Sequence, residues 1–454
     1  TRARPARTAR TAARTGRAGA GSGAGPLVAA TVFLVAMCLR PALTSVGPLL
    51  PRIGAAEGLG ETMQGLLGAL PLLAFAAVSP LVHRLSGRLG VDRSVLVALL
   101  VLTVATVGRS WSGPLGLWVG TWVIGGAIAI GNVLVPVIVR RDYAGHVPGA
   151  TGLYSACLVI AAGVASAVAV PVAEATDWRV SLAVWAIPSL VVAGAWLPRT
   201  FVGPPASVGA DLVGPGPVGP GPVAGESAYP PEDPEPAPDP GPADPEAVGP
   251  ESAGPPAYPS VVPEPATSIW RQGTAWLVTA FMGLQAASFY ILVTWLPTVE
   301  DSMGVSSRTA GIHLLLYQGI GIVGGLTIPI LLRRGTTEVT GCVVASLPTL
   351  VAVVGLLLAP ALVVLWVCIA GLGQGAALVT ALTLVGIRGR SHHDTARLSG
   401  MAQSVGYLLA AGGPVTAGYL AQRTGGWRAT LLLVTALAVV QIVVAVPVGR
   451  DRMP

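Results

Sequence analysis

The chain has 454 residues, 52% of them hydrophobic and only 11% charged, and its mean hydropathy is +0.70. A soluble domain carries about a quarter charged residues, so this balance excludes an ordinary soluble enzyme or binding module and indicates a polytopic membrane protein. The net charge of +6 and the pI near 9.5 do not indicate nucleic acid: the 27 basic residues, all arginine, collect at the ends of apolar runs and form no single basic face.

The chain opens with Arg2, Arg4, Arg7, Arg10, Arg14 and Arg17, a basic arm over 1–25 that resembles the start of a signal peptide. The apolar run behind it is long and contains Arg40 and Pro41, and no convincing cleavage site follows. The arm is therefore expected to be disordered and cytoplasmic. A span needs about 20 mostly apolar residues. Such runs occur at 26–50, 62–82, 93–111, 115–139, 149–173 and 179–197, and again at 272–297, 306–332, 339–359, 361–386, 398–421 and 428–448.

Between the two sets lies 199–268, rich in Pro, Gly and Ala and holding nearly half of the 21 acids. A segment so poor in apolar side chains cannot bury enough surface to offset its ordering entropy, which predicts a disordered linker. Residues 450–454 form a short tail. The four cysteines, Cys38, Cys157, Cys342 and Cys368, lie in apolar runs without metal-ligand spacing, so no metal or cofactor is expected.

The two sets repeat one another. Pro51, Gly58 and Gly65 recur as Pro297, Gly304 and Gly311 at one offset, and Trp178-Arg179 recurs as Trp427-Arg428. Duplication of a six-helix unit predicts an all-α fold of 12 transmembrane helices in two pseudo-symmetric bundles, 26–198 and 269–449, related by an axis along the membrane normal. Arginine counting sets the orientation. The arm, Arg84/Arg88/Arg93, Arg140/Arg141, Arg333/Arg334, Arg388/Arg390/Arg397 and Arg450/Arg452 fall on one side. Only Arg52, Arg109, Arg179, Arg308, Arg423 and Arg428 fall on the other. Both termini and the linker are expected in the cytoplasm.

Polar groups inside a span are costly and mark function. Arg40 stands near the middle of the first span, where a charge costs about 2.5 to 3.5 kcal/mol, and Thr44 is one turn further on the same face. The pair is a candidate cradle for a small anion; the alternative is a structural arginine bonded to helix carbonyls. Gln285 falls opposite Arg40 by the repeat offset, with Tyr290 further out. Asn132 and Gln374 follow glycine-rich stretches and read more readily as packing groups than as lining. Tyr154 and Gln403 are repeat equivalents, and Gln403 shares a face with Tyr407. His313 and Tyr317 lie one turn apart, His313 being either a proton-coupling group or a neutral pocket residue. Every carboxylate is expected in a loop, the linker or near a helix end, so His313 has no acidic partner in the sequence and the coupling ion, protons included, is open. No nucleophile–base or metal-ligand constellation suggests an enzyme.

Several runs resemble a known family, the cyanate/nitroimidazole transporters (the CynX/NimT type) of the major facilitator superfamily. They are Leu39-Arg40-Pro41-Ala42-Leu43-Thr44-Ser45-Val46-Gly47-Pro48, the stretch from Ile128 through Asn132 to Pro136 leading into Arg140-Arg141-Asp142, and Thr151-Gly152-Leu153-Tyr154. In the second half they are Gly283-Leu284-Gln285 through Trp295-Leu296-Pro297, Gly371-Leu372-Gly373-Gln374-Gly375 and Leu398 through Tyr407. The resemblance implies a monomeric transporter working by alternating access in a lipid bilayer, with a small-molecule substrate such as cyanate or a nitroimidazole and no cofactor. In the loop holding Arg84 and Arg88, His83 stands where the wider superfamily places Asp, which weakens a gating role for those arginines. Two other readings stand beside this one: a proton-coupled drug or metabolite efflux pump, which requires an aromatic pocket and a titrating acid, and a non-transporting membrane receptor that uses the acidic linker as a docking arm.

Overall fold

The computed structural model describes residues 26–201, 268–334, 337–389 and 392–450. The arm over 1–25 and nearly all of the expected linker and tail lie outside the described residues. The described residues fold into twelve long helical segments and no strands. The first six are α1 (Ala29–Glu57), α2 (Glu61–Leu89), α3 (Val91–Trp111), α4 (Gly113–Asp142), α5 (Val147–Ala175) and α6 (Trp178–Thr200). The second six are α7 (Gly273–Ser302), α8 (Ser307–Arg333), α9 (Glu338–Leu358), α10 (Val363–Arg388), α11 (His392–Thr424) and α12 (Arg428–Arg450). Eleven are long and apolar enough to cross a membrane. The exception, α11, is 33 residues long, and its Gly, Ser, Gln and Tyr residues lower its hydropathy.

The two bundles meet along three seams, α1 on α7, α2 on α11 and α5 on α8. The seam contacts gather toward the end opposite the start of α1 and the close of α12, here called the outer end. There Gly47 lies so close to the Val293 carbonyl, and Gly65 to that of Pro414, that a Cβ at either would approach within 2.5 and 2.3 Å. The Trp295 indole donates to the Pro414 carbonyl at 2.9 Å within the C-terminal bundle and fixes that surface. Thr62 donates to Gln422 at 2.5 Å, and Glu174 accepts from both Arg52 (3.3 Å) and Arg308 (2.7 Å), joining α1, α5 and α8. The outer end is thus closed between the halves.

Two boundaries differ from the sequence-based expectation. Arg199, assigned there to the linker, is a buried residue of the last turn of α6, held by carboxylates from two other helices. The seventh span, expected to stop at Pro297, continues as helix to Ser302. A proline removes one backbone donor and often ends a helix, but tight packing on all sides keeps α7 helical beyond it. Its best apolar window is 83% buried, the highest share of any span, so α7 is a central post instead of a lipid-facing one.

Candidate functional site

The site begins with a break in α1. Helix runs over Pro26–Cys38, a turn covers Leu39 and Arg40, and one helical turn, Pro41–Thr44, precedes a 3-10 turn, Gly47–Leu49, and a last helix, Leu50–Glu57. Pro41 and Pro48 have no N–H to give, so the ladder fails on either side of residues 41–48. In a membrane the freed carbonyls need other donors. Arg109 of α3 donates to the Ala42 carbonyl at 2.8 Å, and Ser166 of α5 to that of Thr44 at 3.2 Å. The Thr44 hydroxyl is shared between the Arg40 carbonyl (3.2 Å) and that of Ala162 on α5 (2.9 Å). Thr44 is therefore a splice between α1 and α5, buried to 2% exposure, and its hydroxyl is already committed to backbone.

Arg40 sits on this break, half-buried, between the two bundles. Its guanidinium lies within electrostatic reach of Tyr290 on α7, Tyr407 on α11 and Tyr154 on α5. No described carboxylate pairs with it. The three phenols come from both halves, so the charge is approached from each. Aromatic rings continue the wall: Phe75 meets Tyr407 edge-on at 6.2 Å, Phe289 meets Tyr290 edge-on at 5.1 Å, and Phe289 stacks on Tyr317 at 6.0 Å. Aromatics are only 5% of the chain, yet they are concentrated here.

The other candidates fall into different places. Gln285 does not face Arg40; its amide donates to Gln374 of α10 at 3.2 Å, and both are buried, so the two form one brace between α7 and α10. Asn132 is half-buried on α4, and Gln403 donates to Ser399 on its own helix at 3.0 Å. Tyr317 is buried to 1% exposure with its hydroxyl unbonded. Arg84 and Arg88 are exposed, and neither joins an ion pair with a described residue.

His313 corrects the expectation most sharply. It has an acidic partner: its Nδ1 lies 2.7 Å from Oε2 of Glu300 on α7, and Glu300 is fully buried. Glu300 is near the end of its helix as expected, but α7 runs on past Pro297 and carries it into the core. Arg109, counted as a loop arginine in the sequence, is 1% exposed, with Nε and Nη2 unbonded beside the break in α1.

A third group missed in the sequence lies at the inner end. Arg141 of α4 grips Asp92 of α3 through two bonds, 2.7 and 3.0 Å, and Asp142 at 2.8 Å. Arg199 bonds Asp92 at 3.2 Å and also Asp142, while its guanidinium lies 4.3 Å from the Trp196 ring. Next to them, burial and the Asp142 charge hold the Tyr143 phenol above its ordinary range. Asp92 and Asp142 are 49 or more residues from Arg141 or Arg199 except for the adjacent Arg141–Asp142 pair, so no local spacing marks the group.

The fold has counterparts among known proteins. The chain is 32% identical over 424 residues to the 2-nitroimidazole transporter of Escherichia coli (strain K12), covering 93% of this chain and 95% of that one. It is 24% identical over 418 residues to the cyanate transport protein CynX of the same organism, covering 90% and 95%. Its fold matches the inward-facing, occupied structure of a bacterial homologue of the human lysosomal transporter Spinster, with a TM-score of 0.70, 15% identity and coverage of 95% and 98%. The family model described as Major Facilitator Superfamily matches residues 32–414, which runs from within the broken α1 through the N-terminal bundle and the segment between the bundles into α11. This chain therefore belongs to the Major Facilitator Superfamily: it is a multi-pass membrane transporter and not an enzyme.

Proposed function

We propose that the protein carries a small anion or a small polar heterocycle across a bacterial cytoplasmic membrane by alternating access, as a monomer, with Arg40 as the binding charge. The observation that carries this is a half-buried guanidinium on a broken helix, ringed by Tyr154, Tyr290 and Tyr407 and unpaired with any described carboxylate. A buried cation is costly unless something neutralises it, and a solute that is anionic or strongly polar meets that need. The relatives named above, a 2-nitroimidazole transporter and a cyanate transport protein, support solutes of this size and polarity.

The arginine distribution supports cytoplasmic termini. On that orientation the closed outer end faces away from the cytoplasm. The stacked aromatics and the buried Glu300 favour a second reading, proton-coupled export, since these are the features it requires; Arg40 restricts its cargo to neutral or anionic compounds.

The test is uptake into proteoliposomes of labelled cyanate and of a labelled 2-nitroimidazole, in wild type and Arg40→Gln. Saturable uptake in wild type that is lost in the variant is the expected outcome. Wild-type rates in the variant refute an arginine-centred site.

A further inference from the structure

Transport centred on Arg40 leaves unused the ionisable pair at the outer end of the C-terminal bundle. Gly304, with φ of +87°, allows the tight return from α7 into α8 that sets Glu300 against His313. The His313 imidazole is the one described group bonded to the carboxylate, and Oε1 of Glu300 has no partner. The surroundings are apolar: Val353 and Leu356 of α9, Val367 of α10 and Leu431 of α12 belong to the same buried cluster as Val299 and Leu314. That cluster also takes in Leu49, Leu50 and Ile53 of α1, and the Gly47–Leu49 turn of α1 packs against both α7 and α8, the two helices that carry the pair.

The other ionisable groups nearby are engaged or turned to water. On α7, Asp301 is exposed and accepts from Ser307. On α8, the Arg308 side chain is 62% exposed and bonded to Glu174 of α5, which also holds Arg52 of α1. Tyr317, one turn along from His313, is the remaining titratable side chain of that helix face. On α11, Arg423 lies over the Tyr419 ring, and α12 opens with the exposed Arg428.

A carboxylate and an imidazole in such a place have three protonation states. With no proton the pair carries a buried net negative charge, and with two a buried net positive charge; only one proton leaves it neutral, and an uncompensated buried charge is strongly disfavoured. In water the free groups titrate at about 4.3 and 6.5, so above about pH 6.5 an exposed pair holds no proton. Closing the outer end over the pair must then take up one proton from the outer solution, onto Glu300 or His313, with no other bond made or broken.

We propose that Glu300 and His313 form a proton-binding site, loaded with one proton when α1 closes over the outer end, and that this loading makes the transport cycle proton-linked. The proposal rests on the alternating-access reading above and adds the coupling ion to it.

The experiment measures the closed-to-open ratio of the outer end by the distance between spin labels at Ala175→Cys on α5 and Thr309→Cys on α8, both exposed positions. The four native cysteines are replaced by alanine, and the purified protein is held in vesicles across a range of pH. In the otherwise wild-type protein the ratio is expected to fall by about tenfold per pH unit above about pH 6.5, the slope for uptake of one proton. Glu300→Gln is expected to flatten that dependence; Glu300→Met, which has no amide to satisfy, serves as a second variant should the glutamine disturb folding. Glu174→Gln shifts the ratio and keeps the slope. A flat wild-type profile, or an unchanged slope in both Glu300 variants, overturns the proposal. Labelled-solute uptake in the same vesicles separates the two claims. Saturable uptake with a flat label profile refutes the proton site alone. A sloped profile without uptake of either solute refutes the substrate assignment and leaves the proton site standing.

Discussion

The two bundles descend from one repeat, yet they place their ionisable groups in opposite ways. The N-terminal half holds two arginines without a carboxylate partner, the half-buried Arg40 at the centre and the buried Arg109 towards the outer end, and ties Asp92 and Asp142 to Arg141 and Arg199 in a four-member cluster at the inner end. The C-terminal half has no described arginine at either central position and carries instead a buried acid with a histidine, Glu300 and His313. Its inner end has a simpler bond set, in which Arg388 meets Glu338 and donates to the Val448 carbonyl at 2.9 Å. On the two proposals above, the same scaffold supplies a site for negative charge in one half and a site for a proton in the other. Duplication preserves backbone packing, because that depends on small and apolar residues, and leaves the few charged positions free to diverge.

The sharpest test of this asymmetry sets Asp92→Asn against Glu338→Gln. Asp92 serves two arginines, one of them almost wholly buried, and removing a partner from such a cluster costs about 3 to 5 kcal/mol. The Glu338 side chain is 42% exposed and Arg388 keeps a carbonyl partner, so its loss costs about 1 kcal/mol or less. Thermal unfolding in detergent is expected to drop far more for the first variant; equal drops contradict the difference between the inner ends. Next in size is Arg40→Gln, expected to lower kcat/KM for uptake by about a hundredfold, which corresponds to about 2.7 kcal/mol, with the melting temperature little changed. A parallel fall in both places Arg40 in the framework.

Tyr290→Phe removes a phenol beside the guanidinium that can bond the solute, a loss of about 1 kcal/mol or roughly fivefold in affinity. Ligand-induced quenching or a direct binding isotherm reads it, and tighter binding in the variant identifies Tyr290 as a competitor of the solute. Smallest is Glu174→Gln, which loosens an exposed bridge worth about 0.2 to 1 kcal/mol. It is expected to raise the open fraction of the outer end no more than about fivefold, and an effect that survives high salt argues against an electrostatic origin.

Much of this was legible in the chain. Twelve apolar runs, a repeat at one offset and the absence of charge over long stretches lead to the fold, because a bilayer allows few ways to satisfy a backbone. Arg40 was legible too, since a charge in mid-span is conspicuous against such a background. Thr44 and Gln285 were not: each is polar and well placed by periodicity, but periodicity does not say whether a hydroxyl or amide meets solute, backbone or another amide. The aromatic wall was hidden by composition, because a bulk fraction is silent on whether rings from α2, α5, α7, α8 and α11 converge.

The sequence by itself determined that the chain crosses a membrane as two related bundles with a cation near the centre, because hydropathy and repeat are properties of position along the chain. Only the tertiary structure decided that Pro297 lies inside a helix, that Glu300 therefore reaches His313, and that Arg199 closes a buried ionic cluster with Asp92 and Asp142. Those outcomes depend on which helices are neighbours. A carboxylate near a helix end has the same local sequence whether it meets water or an imidazole, and packing alone determines which.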